Sequence, residues 1–255
     1  AHKKGLLKMN TIQILINGAK GKMGQQASNA VSNDDRFKLV AEAGRADDLA
    51  AMIAEHSPGV VIDFTAASEA MQNTKIILES GARAVMGTSG FLPDDIQTIE
   101  SLCQKKQLGA IIAPNFSIGA LLMMQFAAQA AKFLPAIEIV EMHHDQKQDA
   151  PSGTAVKMGQ VIADTLGRDL NKCAVYGREG ITGERDKETI GFATVRAGDI
   201  VGEHTAFFAD LGERIEITHK ASSRMTFALG AMRAAYWLSE ADNGFYDMQD
   251  VLGLK

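Results

Sequence analysis

The segment TIQILIN (11–17) is dominated by aliphatic and β-branched residues. It passes without a spacer into GAKGKMG (18–24) and then into a helical pattern over residues 25–31. A strand that feeds a glycine turn that feeds a helix leaves few folds open, because the helix must return along the strand as the first crossover of a parallel sheet. Glycines at such a turn permit a tight bend and close backbone approach. The helix N-terminus behind them presents N–H groups and partial positive charge, which suits a pyrophosphate. The spacing is G-x-x-G-x-x-G rather than the commoner G-x-G-x-x-G, so taken alone it fits a plain turn as well as a phosphate site.

The alternation continues and settles the class. Strand patterns at 37–41, 60–65, 84–90 and 109–117 are separated by helical patterns at 46–55, 68–80 and 93–104. Strands alternating with helices predict a parallel sheet with ligands at the strand C-terminal ends. Asp63-Phe64-Thr65, Gly87-Thr-Ser-Gly90 and Ala113-Pro-Asn-Phe116 all fall at that edge. After the second strand comes Glu42-Ala-Gly-Arg45. Glu42 is suited to ribose hydroxyls, whereas Arg45 with Lys22 is suited to a 2′-phosphate, so NADPH use is plausible beside NADH.

The densest chemistry lies further on, in EMHHDQKQDAPSGTA (141–155), directly after an apolar β-branched run. A strand over 136–142 delivers His143 at its C-terminal lip, and the polar residues 145–149 require a loop. Ser152 is a good N-cap, and apolar residues from Ala155 to Leu166 recur at helical spacing up to Gly167. The first N–H groups of that helix, those of Gly153 and Thr154, point toward its N-terminal end and make an anion site. Lys147 and the two histidines would add fixed donors and groups that give up a proton near neutral pH. A metal site is disfavoured: neighbouring residues on an extended segment point opposite ways, and no further ligand has a metal spacing.

Beyond the helix that Ser152 starts, short strands at 175–180, 190–196, 202–208 and 214–220 alternate with Gly- and Asp-bearing turns. This predicts a smaller α+β domain with an antiparallel or mixed sheet whose uncovered face suits subunit contact. A final helix over 225–238 is expected to pack back on the first domain. The expected division is 9–116 with 224–255 for the dinucleotide-binding domain and 117–223 for the substrate-binding and oligomerisation domain.

The chain has 255 residues, 46% of them hydrophobic, enough for a large core and two domains. A net charge of −5 gives no electrostatic case for nucleic acid, and the most apolar windows are too short and too interrupted for a membrane span. Cys103 and Cys173 form no metal spacing or obvious pair, which suits a cytoplasmic protein. Residues 1–8 read as a lead-in, with Met9 as the native start.

The chain resembles the 4-hydroxy-tetrahydrodipicolinate reductase (dihydrodipicolinate reductase) family from Ile12 onward. The resemblance rests on GAKGKMG (18–24), VIDFT (61–65), GTSG (87–90), APNFSIG (113–119), EMHHDQKQDAPSGTA (141–155) and the long block 190–228. It implies a reductase that carries hydride from NADPH or NADH to C4 of a cyclic, imine-containing dicarboxylate, acting as a homotetramer. His143 then matches the catalytic histidine and Lys147 the proton donor, while His144, Ser152, Gly153 and Thr154 fall at the substrate. Cofactor contacts are expected from Gly18, Ala19, Lys20, Gly21, Lys22, Met23, Arg45, Phe64, Gly87, Thr88, Ser89, Ala113, Pro114, Asn115 and Phe116. One departure stands out: many relatives carry an acidic residue directly before the Arg45 position, where this chain has Gly44. Two other classes share part of this pattern, a different nicotinamide dehydrogenase and a non-catalytic dinucleotide sensor. The paired histidines with Lys147 speak for the ring-dicarboxylate reductase.

Overall fold

The structure, a computed structural model, describes residues 11–88 and 90–255; Ser89, the 1–8 lead-in and Met9 lie outside the described residues. In chain order the elements are β1 (Ile12–Asn17), α1 (Lys22–Ser32), β2 (Phe37–Ala43), α2 (Leu49–His56), β3 (Val60–Asp63), α3 (Ala70–Glu79), β4 (Arg83–Met86), α4 (Pro93–Lys106) and β5 (Gly109–Ile112). Then follow α5 (Ile118–Ala131), β6 (Ala136–His143), α6 (Gly153–Leu166), α7 (Leu170–Cys173), β7 (Ala174–Tyr176), β8 (Ile190–Arg196), β9 (Gly202–Asp210), β10 (Glu213–Ala221), α8 (Met225–Glu240), β11 (Gly244–Tyr246) and α9 (Met248–Leu252). The chain forms two compact units, one of residues through Phe116 together with Met225–Lys255, the other Ser117–Arg224.

In the first unit the described strands form a parallel sheet in the order β11-β5-β4-β3-β1-β2. The chain leaves β1 for β2 on one side and returns to β3 on the other, so strand order reverses at β1. In open α/β sheets the crevice beyond such a point is where ligands bind. Leu15, Val61, Ala84 and Ala110 from the strands pack with Ile53, Ile77, Leu78, Ile99 and Cys103 from the helices. Helix α8 packs against β3, β4, β5 and α1, so the C-terminal segment belongs to this unit. Strand β11, with three residues, is too short for a periodic signal; its place is set by pairing with β5, Gly244 opposite Gly109.

Among the boundaries that differ from the sequence pattern, two lie at the C-terminal edge of this sheet. Helix α1 starts at Lys22 instead of Gln25, because Gly21 is extended (φ −76°, ψ 163°) as its N-cap and the Gln25 N–H already donates to the Gly21 carbonyl. Strand β2 runs to Ala43 instead of Ala41, with Glu42 opposite Ile16 and Ala43 opposite Asn17. Glu42 is therefore an exposed strand residue, and the turn after β2 begins at Gly44.

In the second unit the sheet order is β10-β9-β6-β8-β7, with β9 antiparallel to both neighbours and the β6–β8 and β8–β7 pairs parallel. Ile137, Ile139, Phe192, Ala206 and Phe208 on one face pack with Met123 and Ala127 of α5 and Met158 and Ile162 of α6. The opposite parity places Val140, Met142, Val195, Thr205 and Phe207 on the other face.

Candidate functional site

The ligand edge of the first unit is mostly backbone. Gly18 follows β1 with φ +80°, and the Gly21 N–H closes the turn by donating to its carbonyl at 3.0 Å. Gly24 lies inside α1 because a Cβ there would run into the Gly18 carbonyl oxygen; only a glycine lets the helix start this close beneath the turn. The fit to a dinucleotide pyrophosphate therefore rests on close packing as well as on motif spacing. Asp63 at the end of β3 is fully buried. Its carboxylate accepts from Asn17 Nδ2 at 2.7 Å, Asn73 Nδ2 at 3.0 Å, and the Thr65 N–H and hydroxyl at 2.8 and 2.6 Å. That network fixes the ends of β1 and β3 side by side and positions Phe64, whose ring stands edge-on to Phe116 at 5.9 Å. Arg45 is exposed beyond β2, where Asp47 Oδ2 accepts the Gly44 N–H at 2.7 Å.

In the second unit, the face of β6 that carries Ile137 and Ile139 into the apolar core continues as Glu141 and His143, so the buried row turns ionisable at its C-terminal end. Register brings partners from both sides: Glu141 lies opposite Thr194 of β8 and His204 of β9, and His143 opposite Arg196. Glu141, 0% exposed, accepts from Arg196 Nη1 and Nη2 at 2.9 Å each, the Ser152 N–H at 2.9 Å, the Thr194 hydroxyl at 3.3 Å and His143 Nδ1 at 2.6 Å. Burial pushes the Glu141 carboxyl upward, but the hydrogen bonds from Arg196, His143 and Ser152 outweigh it and hold the group below its ordinary range. An ionised carboxylate has no proton to give, so Nδ1–H of His143 is the donor. The histidine thus presents Nε2 as the atom that takes up or releases a proton. Gly202 of β9 leaves room for that atom: a Cβ there would lie 3.0 Å from Nε2.

His143 stays below its ordinary value because burial dominates over the attraction of Glu141. His204, 4% exposed, is pushed down to about 4, mainly by burial. Its Nε2 lies 2.8 Å from Ser152 Oγ, and its ring stands edge-on to His143 at 5.2 Å. Ser152 Oγ also caps α6 by accepting the Ala155 N–H at 3.2 Å, so one hydroxyl ties the histidine pair to the helix start. Upstream of that cap, Lys147 Nζ donates to Asp149 Oδ1 at 2.8 Å, and the His144 N–H donates to the Ile200 carbonyl at 2.7 Å. Among the described residues, no group of three His, Cys, Asp or Glu side chains is placed to hold a metal ion.

The structure thus brings His143, Ser152, Gly153 and Thr154 to one end of β6 and α6, with His144 and Lys147 in the loop between. In the first unit, Gly18, Ala19, Lys20, Gly21, Lys22, Met23, Phe64, Gly87, Thr88 and residues 113–116 lie at the C-terminal edge of the parallel sheet, and Arg45 lies past β2. The motif reading missed Glu141, Thr194, Arg196 and His204. Glu141 was legible in principle: it sits two residues before His143 on a strand, hence on the same face. The other three depend on register between strands far apart in sequence.

Comparison with known proteins follows the same division. Residues 12–116 match the family model described as "Dihydrodipicolinate reductase, N-terminus", and residues 119–252 the one described as "Dihydrodipicolinate reductase, C-terminus". A 4-hydroxy-tetrahydrodipicolinate reductase from Colwellia psychrerythraea (strain 34H) is 55% identical over 267 aligned residues, covering 96% of this chain and 99% of that protein. Among solved structures, a dipicolinate-bound dihydrodipicolinate reductase from Paenisporosarcina sp. TG-14 superposes with a TM-score of 0.77. It is 30% identical, with 93% of this chain and 97% of that chain covered. A biliverdin reductase from Synechocystis sp. PCC 6803, 13% identical with a TM-score of 0.57 over 94% of this chain and 95% of that one, shares the fold alone.

Proposed function

The chain belongs to the dihydrodipicolinate reductase family, and from that premise we propose that it is an NAD(P)H-dependent oxidoreductase of lysine and diaminopimelate biosynthesis. It reduces 4-hydroxy-tetrahydrodipicolinate to tetrahydrodipicolinate in the cytoplasm, with either NADPH or NADH as donor. The observation that carries the reading is the carboxylate-locked His143 beside a capped helix start and Lys147, an arrangement suited to a dianion that must be protonated. Its likeness to a relative whose structure holds dipicolinate supports the same ligand class here.

The first unit binds the dinucleotide: the turn Gly18–Met23 and the N-terminus of α1 take the pyrophosphate, the 87–89 and 113–116 loops line the same edge, and Arg45 meets the ribose end. The dinucleotide supplies hydride, which arrives at C4 of the ring as water is lost. In the second unit, the Gly153 and Thr154 N–H groups and the Ser152 cap take a ring carboxylate, with His144 beside them. Hydride arriving on a conjugated imine leaves an electron-rich nitrogen side that needs a proton. Lys147 gives that proton, and His143, oriented by Glu141, stabilises the developing charge when its Nε2 carries a proton and acts as a donor. The uncovered face of the second sheet, with Val140, Met142, Val195 and Phe207, supports assembly into a homotetramer.

The test is oxidation of NADPH and NADH by the purified protein, with the acceptor generated in place from pyruvate and aspartate semialdehyde by the preceding synthase. Rapid oxidation that depends on the synthase is the expected result. Cofactor binding without oxidation under those conditions overturns the assignment of the acceptor.

A further inference from the structure

We infer that the carboxylate of Asp149 is an internal stand-in for a substrate carboxylate, holding Lys147 in the resting protein and changing places with the dicarboxylate when it binds. The inference rests on the proposed function, since it concerns the same anion site. Three observations lead to it. Asp149 Oδ1 takes the Lys147 ammonium at 2.8 Å, and the same carboxylate faces the N–H of Gly153, the first residue of α6. An acidic side chain thus already pairs with the ammonium and lies near the helix-terminal N–H, the two kinds of donor that a ligand carboxylate requires. Its side chain is 60% exposed while that of Lys147 is 21% exposed, so the acid can turn out into water while the base stays in place. Finally, the Asp149 main chain is anchored: its carbonyl accepts Arg196 Nη2 at 2.6 Å, the same guanidinium that holds Glu141. Exchange therefore needs a side-chain rotation without moving the loop.

The strength of the contact suits exchange. A solvent-facing ion pair contributes little, so removing the competitor is expected to tighten ligand binding by only about two- to fivefold. Such a pair keeps Lys147 oriented between turnovers yet yields to a ligand with two carboxylates.

The test is calorimetric titration of dipicolinate into the full chain with NADPH present, using wild type, Asp149→Asn and Asp149→Ala, and a Lys147→Met background with and without Asp149→Asn. Thermal melts establish that each variant is folded. The expected result is tightening of about two- to fivefold in both Asp149 variants and no change from Asp149→Asn once Lys147 is Met, because the competition acts through the ammonium. Unchanged or weaker binding in both folded Asp149 variants, beside a wild type that binds, overturns the inference and leaves the site assignment standing. A wild type that binds NADPH but no dipicolinate removes the site assignment and the inference together.

Discussion

The two units prepare for charged ligands by opposite means. The first offers backbone: a turn of glycines, a helix start, and one buried carboxylate, Asp63, whose partners are neutral amides, a hydroxyl and an N–H. The second offers ionisable side chains, two of them, Glu141 and His204, almost without exposure, locked to partners on three strands and a helix cap. Backbone donors tolerate several ligands that share a phosphate. Buried ionised groups are costly unless every lone pair is met, so they hold one arrangement and tune individual proton affinities. The comparison teaches where each kind of mutation should hurt: packing and specificity in the first unit, chemistry and pH response in the second.

The largest effect is expected from Lys147→Ala, which should lower kcat by about two to four orders of magnitude while leaving NADPH affinity nearly unchanged. Steady-state kinetics with a separate binding titration would decide it, and wild-type turnover removes Lys147 from the mechanism. Next, Glu141→Gln should lower kcat by about 100-fold, because a neutral amide no longer enforces Nδ1–H on His143, and it leaves the Arg196 charge unmatched. If turnover survives and only the melting temperature falls, Glu141 is a structural clamp and the contrast between the units weakens.

The pH response of the second unit comes third. His204 is held at about 4 by burial, against an ordinary value near 6.5. The unfolded chain therefore takes up a proton that the folded chain refuses; the stability contribution is complete above pH 6.5 and is lost progressively as pH falls toward 4. Between pH 7 and pH 5 this one residue should cost about 2 kcal/mol, and His204→Gln should reduce the fall in unfolding free energy over that interval by about as much in urea titrations. His143 and His219, also held down mainly by burial, keep part of the slope in the variant. The smallest effect belongs to the first unit. Gly44→Asp places a carboxylate beside Arg45, and a Cβ there meets the Lys20 chain at an ordinary 3.4 Å, so the protein should accept it. NADPH should lose about tenfold in kcat/KM relative to NADH, since one opposed charge near the 2′-phosphate is worth about 1 kcal/mol or a little more. An unchanged ratio would place ribose recognition elsewhere.

Much of the architecture was readable before any coordinates. Strand and helix periods alternate cleanly from Ile12 to Ile112, and that alternation leaves a parallel sheet as the outcome. The Ser152 cap, the end of α6 at Gly167 and the delivery of His143 at the end of β6 were local, and local chemistry is visible in a linear string. The early start of α1 was not: the glycines of GAKGKMG look like a loop until packing shows that Gly24 is helical because of what lies above it. Strand β11 was likewise hidden, since three residues carry no period.

Composition and periodicity were sufficient for the class of fold, the glycine turn after β1 and the loop that carries Lys147 after His143, because each follows from residues within a few positions of one another. The surroundings of His143 were beyond their reach. Glu141 is held as its orienting carboxylate when β8 and β9 flank β6 in a particular register, which brings Thr194 and Arg196 into hydrogen bonds with Glu141 from 53 and 55 residues away and sets the His204 ring against that of His143. A one-residue slip in either pairing would turn those side chains to the other face. Proton affinity at this site is therefore a property of strand register and burial, and those exist only once the second sheet has formed.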